Sequence, residues 1–162
     1  MIKSLFNIRP AEKHPVFLLF SMFFFIVFAS ITSSAMRDAI FLIHYDKTYL
    51  PIMYLFVAIA MIVFINLYNR FSEGKSQLLL LITTGIMFST TLLVFQFFLY
   101  GIAIPLFYIW IEIITIFSVM QFWLVTGDIF NSRQAKRIFP LIIAGWSLAA
   151  ILSGYSIKPF VT

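Results

Sequence analysis

Two charged residues inside apolar segments, Glu112 and Arg37, are the strongest candidates for chemistry in this sequence. Glu112 is the only charged residue between Leu106 and Thr126. A charge at membrane depth costs roughly 2.5–3.5 kcal/mol on insertion scales, so it usually faces a bundle interior or an aqueous cavity and has a partner. Arg37 is the best partner candidate. Such a pair could bind or gate a charged solute, whereas no residue suggests bond-making catalysis, so we do not expect an enzyme.

The composition indicates that these two charges lie in a membrane protein. Hydrophobic residues make up 62% of the 162 residues and charged residues only 10%, whereas soluble domains carry about a quarter charged residues. The absence of cysteine excludes disulfides and thiolate metal sites. His14 and His44 lie far apart in the sequence and form no metal-ligand cluster. We expect no metal, no other cofactor and no nucleic-acid partner, because no nucleic-acid motif accompanies the net charge of +5.

Five apolar segments are long enough to cross a bilayer, which takes about 20 apolar residues at 1.5 Å rise. The long uncharged run over 76–111 is divided by Tyr100, Gly101 and Pro105. The runs do not alternate as the strands of a membrane barrel would. We therefore predict an all-α polytopic helix bundle forming one membrane domain over 1–162. Its predicted spans are about 16–45, 50–68, 77–99, 106–126 and 138–157.

The distribution of basic residues predicts the orientation, because cytoplasmic loops carry an excess of Lys and Arg. Of the 11 basic residues, Arg37, Lys47 and Lys158 fall on one side of the membrane and the others on the opposite side, with the N-terminus. We expect a multi-pass protein of the cell inner membrane with a cytoplasmic N-terminus and an external C-terminus. The first apolar segment is longer than the usual core of a signal peptide, so we expect it to be retained. The residues on the N-terminal side are Lys3, Arg9, Lys13, Arg70, Lys75, Arg133, Lys136 and Arg137.

A polar stripe leads along the first helix to Arg37. Ser30, Ser33, Ser34 and Arg37 are spaced i, i+3, i+4 and i+7, which places them on one helix face. If this helix continues to about Tyr45, Arg37 lies roughly 12 Å below its outer end.

Glu112 lies at a similar depth in the fourth span, and Thr115 and Thr126 share its helical face. Similar depth predicts that Arg37 and Glu112 pair. Two alternatives remain open at this stage. In the first alternative, the Arg37 side chain snorkels to the interface and pairs locally with Asp38. In the second, Glu112 has a purely structural role, either protonated or hydrogen-bonded within the bundle.

Two further patterns have both a structural and a functional interpretation. Arg133, Lys136 and Arg137 share a face of a short helical stretch, which is typical of a topology signal resting on anionic lipid. The same charges could attract an anionic substrate. Gly145 begins a series of small residues at four-residue spacing, which favours close helix packing.

Short motifs are distributed along nearly the whole chain. They are NIRP (7–10) with Glu12 and Lys13, MRDAIF (36–41), LP (50–51), FW (122–123), DIFN (128–131), AKRIFPL (135–141), AGWSL (144–148) and ILSG (151–154). These motifs resemble those of the plastid and bacterial ATP:ADP antiporter family, nucleotide transporters related to the major facilitator class, and the block 122–154 is the most specific part of the resemblance. The chain departs from the family pattern at Gln134, where Glu is usual, and at Ala11, where Gly is common.

The resemblance implies that the chain is the N-terminal part of a carrier that exchanges ATP against ADP. Arg37 and Glu112 align with a basic and an acidic residue that the family uses for nucleotide exchange. Carriers of this type have about twelve spans in two halves, with the site between them, so a second chain or a C-terminal half would complete the site. The expected partners are membrane lipid and ATP or ADP. Possible substrate-path or gating residues are Ser30, Ser33, Ser34, Asp38, Thr115, Asp128, Lys136 and Arg137.

Two other functions remain open. The chain could be a non-transporting membrane scaffold, either a truncated relic or a module that assembles with another chain. It could also belong to a facilitator-type carrier of a different anion.

Overall fold

The computed structural model describes residues 12–161, without the side chains of Ser132 and of 158–161. The predicted all-α class is confirmed, and all five long helices of the described residues have the length and apolar composition to cross a membrane. The segment 7–10, with Arg9, lies outside the described residues, as does Lys3. The helices are α1 (Lys13–His44), α2 (Leu50–Ser72), α3 (Gln77–Phe98), α4 (Ala103–Ile129) and α5 (Ser132–Val161).

The helices cover the predicted spans to within a residue and extend beyond most of them: α1 and α4 begin three residues earlier, α5 begins six residues earlier, and α2, α4 and α5 end three or four residues later. Helix α4 begins at Ala103 and includes Pro105 in its first turn, where the missing proline N–H would have had no intrahelical partner in any case. Helix α5 begins before the predicted span, because Gln134 caps it. The Asn131 N–H donates to the Gln134 side chain at 3.2 Å, as in a capping box. The basic stretch is therefore the first part of α5 rather than a separate short helix.

The connections between the helices use local hydrogen bonds and two glycines. Gly74 and Gly101 have φ values of 74° and 55°, a left-handed conformation that residues with a Cβ rarely adopt. Before α2, the Asp46 carboxylate accepts a hydrogen bond from the Thr48 N–H at 2.9 Å and caps a 3₁₀ turn over Lys47–Tyr49. The hydrogen bonds from Thr48 hold the pKa of Asp46 below its ordinary value.

The chain divides into two compact units, and the first combines residues up to Thr32 with those from Phe122 onwards. Aromatic packing around Phe23 holds this unit together. The Phe23 ring stacks on Phe122 with centroids 4.6 Å apart and meets Trp123 edge-on at 5.3 Å. Helix α5 approaches α1 closely, since a Cβ added at Gly145 would lie 3.3 Å from the Phe20 ring. Ala149 and Ser153 of the small-residue series are fully buried, which favours its packing interpretation.

The second unit comprises Ser33–Gln121. Its core cluster joins the end of α1, the start of α2 and the start of α4, and the Tyr45 hydroxyl donates to the Gly101 carbonyl at 3.2 Å. A second aromatic group, centred on Phe117, packs between α2, α3 and α4. The buried residues of the core cluster are Phe41, Met53, Val57, Ile104 and Tyr108.

Candidate anion-binding site

The pairing predicted for Arg37 and Glu112 is confirmed. The Arg37 side chain is 4% exposed, and its Nη1 donates a hydrogen bond to the Glu112 carboxylate. Arg37 lies seven residues before the end of α1 and Glu112 nine residues after the start of α4, or roughly 10 Å and 14 Å along the helix axes. The two residues are 75 positions apart in the chain, so the contact joins α1 to α4 at membrane depth.

Asp38 is the second carboxylate on Arg37. Its Oδ1 accepts hydrogen bonds from Arg37 Nε at 3.0 Å and from Nη2 at 2.8 Å. Its side chain is 44% exposed, compared with 21% for Glu112. Local pairing with Asp38, considered above as an alternative, therefore coexists with the pair to Glu112. The guanidinium is buried between the two carboxylates.

Tyr108 completes the surroundings of the guanidinium. The Arg37 Cζ lies 4.2 Å from the centroid of the Tyr108 ring, a distance at which a cation is attracted to the face of the ring. Tyr108 is fully buried, and its hydroxyl has no hydrogen-bond partner among the described residues. Tyr54 of α2 lies edge-on to Tyr108, with ring centroids 6.4 Å apart.

The core cluster explains why these side chains are held in place. Tyr108 belongs to that cluster, and its ring packs against Phe41 with centroids 5.0 Å apart. Phe41 lies one helical turn after Arg37 on α1, and Tyr108 lies one turn before Glu112 on α4, so each member of the ion pair is flanked by a buried aromatic residue on its own helix. Apolar packing between the two helices therefore positions the charges.

The charge of this group is not balanced. Arg37 contributes one positive charge, whereas Asp38 and Glu112 contribute two negative charges when both are ionised. A pocket of about 240 Å³ in the same unit is lined by Met36 and Ile111, the residues that precede Arg37 and Glu112 in the chain, but not by the charged residues themselves. Ser33 and Gln96 are the polar residues of its lining. The arrangement can accept an anionic group on Arg37 if a carboxylate gives way.

The remaining residues of the predicted polar stripe are partly buried but do not contact the guanidinium. Ser33 lines the pocket of about 240 Å³. Ser34 and Thr115 are half-buried in the same unit, and Ser30 is half-buried in the other unit. Among the residues that the structure describes, the ion pairs of Arg37 are with Asp38 and Glu112. The stripe therefore contributes Ser33 to the lining of the pocket.

Three predicted path residues, Asp128, Lys136 and Arg137, belong to the first unit. Asp128 and Lys136 are exposed. Arg137 is instead half-buried and donates a hydrogen bond to the Glu12 carboxylate. Gln134 also binds Glu12, with its Nε2 donating at 2.9 Å. Arg137 thus joins the start of α5 to the residue before α1. Its charge is paired and half-buried, whereas that of Lys136 is exposed.

Sequence reasoning missed a second polar centre in the spans, around Gln121. The Gln121 side chain lies 2.7 Å from the Thr84 hydroxyl and 3.2 Å from the Tyr68 hydroxyl. The Thr84 hydroxyl, which also lies 2.7 Å from the Leu80 carbonyl, donates to Gln121 Oε1, and Gln121 Nε2 donates to the Tyr68 hydroxyl. An amide inside an apolar span was the available signal.

Comparison of the chain with protein-family models, with curated proteins and with solved structures finds no match. The resemblance to nucleotide transporters therefore rests on the short motifs of the sequence alone.

Proposed function

We propose that this chain is part of a membrane carrier for nucleotides, and that Arg37 binds the phosphate groups of ATP or ADP within the membrane. The observation that carries the proposal is the buried Arg37 guanidinium, held between Asp38 and Glu112 against the Tyr108 ring. Ionisable residues inside a membrane mark substrate pathways or proton relays by default. The proposed exchange of ATP against ADP derives from the motif resemblance.

The chemistry of Arg37 supports an anionic substrate. A guanidinium presents N–H donors in a planar fork that matches carboxylate and phosphate groups. Both of its present partners are carboxylates, and they occupy Nε, Nη1 and Nη2. A phosphate group can replace either of them with similar geometry.

Stability alone is a poor reason for such a cluster. A buried ion pair gains little over a well-packed apolar alternative, because desolvation of the two charges offsets their attraction. Three charged side chains at this depth are therefore better explained by an exchange of partners during substrate binding. Carriers of the facilitator type bind substrate near the bilayer midplane, between two helix bundles, and the described residues would supply one wall of such a site.

Equilibrium binding of radiolabelled ATP to the purified, detergent-solubilised chain tests this proposal. Arg37→Gln should weaken ATP binding about 10- to 100-fold, the equivalent of ~1.5–3 kcal/mol for hydrogen bonds to a charged group. Arg70→Gln is the matched control, because Arg70 is exposed at the end of α2. Equal affinities for the unmodified chain and Arg37→Gln would contradict the assignment.

Competition and uptake measurements separate the other functions. Displacement of labelled ATP by ADP supports nucleotide exchange, whereas displacement by inorganic phosphate alone favours a carrier of another anion. Reconstituted alone in liposomes, residues 1–162 should show no ATP uptake, because alternating access needs a second bundle to move against. A folded chain that binds no anion at all would favour the membrane scaffold.

A further inference from the structure

We infer that Glu112 is a proton-binding site that takes up a proton when an anion replaces it on Arg37. Anion binding at this site is then coupled to proton uptake. This inference depends on the proposed function, since it requires an anion that binds to Arg37.

Three of the five N–H groups of Arg37 are used: Nε and Nη2 donate to Asp38, and Nη1 donates to Glu112. A guanidinium binds an anion through two parallel N–H groups along one of its edges. Asp38 holds the Nε–Nη2 edge and Glu112 holds Nη1 of the other edge, so an incoming anion competes with one of the two carboxylates. Asp38 follows Arg37 directly in the chain, and its side chain is 44% exposed, so it is less enclosed by protein than Glu112 at 21%. Glu112 comes from another helix, and its ion pair is the contact that an incoming anion breaks between α1 and α4.

In the parts of α1–α4 that belong to its unit, a displaced Glu112 finds no Lys or Arg apart from Arg37 and Arg70. Helix α3 has no ionisable side chain, and α4 has no Lys, Arg or His. Arg70, the basic residue of α2, lies in the last turn of that helix. Glu112 lies near the start of α4, at the other end of the unit formed by Ser33–Gln121. A carboxylate without a cation in an apolar environment binds a proton rather than remain charged.

The ionisable neighbours of Glu112 do not offer a better proton acceptor. On α1, Asp38 remains close to the Arg37 charge and exposed, and His44 is exposed with its ring Nδ1 2.9 Å from the Ile40 carbonyl. On α2, the neighbouring ionisable group is the phenol of Tyr54, whose side chain is largely exposed. Phenols are weak acids and stay neutral at ordinary pH. Glu112 is therefore the group whose charge changes.

The surroundings of Tyr108 also favour a protonated Glu112. No described residue meets ordinary hydrogen-bond geometry at the buried Tyr108 hydroxyl, although the Tyr54 hydroxyl lies near it, and buried polar groups are nearly always satisfied. Tyr108 precedes Glu112 by four residues in α4, a spacing that places both on one helix face. Protonated Glu112 can donate its O–H to the Tyr108 oxygen. The partner that the hydroxyl lacks is thus supplied in the anion-bound state.

The proposed step balances in charge and involves no electron transfer. The ion pair between Arg37 and Glu112 breaks, the Arg37 guanidinium binds the anion, and one proton from the aqueous phase forms an O–H bond on Glu112. Release of the anion reverses each change. The charge of the cluster, counted without the anion, rises by one when the anion binds.

Titration calorimetry of the purified chain with ATP, in two buffers of different ionisation enthalpy at the same pH, measures the protons taken up. We expect about one proton per bound ATP for the unmodified chain and about none for Glu112→Gln, as linkage requires if Glu112 is the titrating group. His44→Gln is the matched control and should retain the uptake.

The other possible results contradict either the inference or the proposed function. ATP binding without proton uptake in the unmodified chain would overturn the inference and leave the proposed function intact. Unchanged proton uptake in Glu112→Gln would also overturn the inference. So would loss of proton uptake in Asp38→Asn but not in Glu112→Gln. Absence of ATP binding would reject the proposed function, and the inference with it.

Infrared difference spectra provide a second measurement that does not require Glu112→Gln to fold. Addition of ATP to the unmodified chain should produce the carbonyl band of a protonated carboxylic acid. That band should shift in Tyr108→Phe, because the acid then loses its hydrogen-bond acceptor. A spectrum without such a band would overturn the inference.

Discussion

The guanidinium carbon of Arg37 lies 4.2 Å from the centre of the Tyr108 ring, and this stacking joins α1 to α4 in addition to the ion pair. A desolvated contact of a cation with an aromatic face contributes about 2 kcal/mol. The ring lies against the same guanidinium that donates through Nη1 to Glu112 and through Nε and Nη2 to Asp38. Tyr108 is thus a positioning residue for Arg37.

Replacement of Tyr108 should separate the role of its ring from that of its hydroxyl. In the absence of ATP, Tyr108→Phe should leave the thermal unfolding midpoint in detergent unchanged or slightly higher, because the aromatic face remains and an unsatisfied hydroxyl is removed. Tyr108→Leu should lower the stability by ~0.5–2 kcal/mol through loss of the cation–π contact. Circular dichroism melting curves provide the measurement. Equal losses for Phe and Leu would show that the hydroxyl, not the ring face, is important.

A double-mutant cycle should show that Arg37 and Glu112 are energetically coupled. Arg37→Gln and Glu112→Gln each leave one charge without its partner, so each should destabilise the chain strongly. The double substitution should cost less than the sum of the two by ~0.5–3 kcal/mol, the usual coupling between residues in contact. Denaturant unfolding in detergent measures the terms. Glu112→Gln combined with Arg70→Gln is the control pair and should be additive; additivity for Arg37 and Glu112 would mean that the pair is not coupled.

Gln121 should contribute modestly to the stability of the unit formed by Ser33–Gln121. Gln121→Leu removes the contacts with Thr84 and Tyr68, and hydrogen bonds between membrane helices average ~0.6 kcal/mol. Thr84 can then donate to the Leu80 carbonyl, which limits the loss. Gln96→Leu is the matched control, since Gln96 is exposed. A larger effect for Gln96 than for Gln121 in thermal unfolding would contradict this prediction.

Gly145 should tolerate no larger residue. A Cβ there would lie 3.3 Å from the Phe20 ring and 3.4 Å from the Phe20 carbonyl oxygen, so Gly145→Leu should destabilise the chain by ~1–3 kcal/mol, a typical cost of overpacking. Gly154→Leu provides the control on the same helix, because nothing lies within 4 Å of its added Cβ. The measurement is the thermal unfolding midpoint of each of the two variants in the same detergent. Equal midpoints would argue against the close approach of α5 to α1.

Reporter fusions should test the orientation that the basic residues predict. Alkaline phosphatase, which is active only outside the cytoplasm, should be active when fused after Thr162 and inactive when fused after Lys75. The reason is the excess of Lys and Arg on the N-terminal side. A fusion after Lys47 should also be active and serves as an internal control. The reverse pattern would place Arg37 and Glu112 nearer the cytoplasmic face.

The sequence alone predicted the number, type and approximate limits of the spans. Long apolar runs are local features, and a bilayer forces each of them to satisfy its backbone hydrogen bonds within one helix. The boundary at α5 was less accurate because the cap by Gln134 depends on a side-chain hydrogen bond, which composition does not indicate. The pair of Arg37 with Glu112 was predictable for a similar reason, since the cost of a lone charge in hydrocarbon requires a partner at similar depth.

Tertiary structure decided which helix faces meet, and therefore what surrounds the pair. Tyr108 lies against the Arg37 guanidinium because the core cluster of the second unit packs α1 on α4 in this register. The contacts of Gln121 with Thr84 and Tyr68, and of Arg137 with Glu12, likewise join residues from different segments. Apolar residues surround every helix of a membrane protein, so periodicity does not distinguish the face towards protein from the face towards lipid. Only side-chain packing between the helices makes that choice.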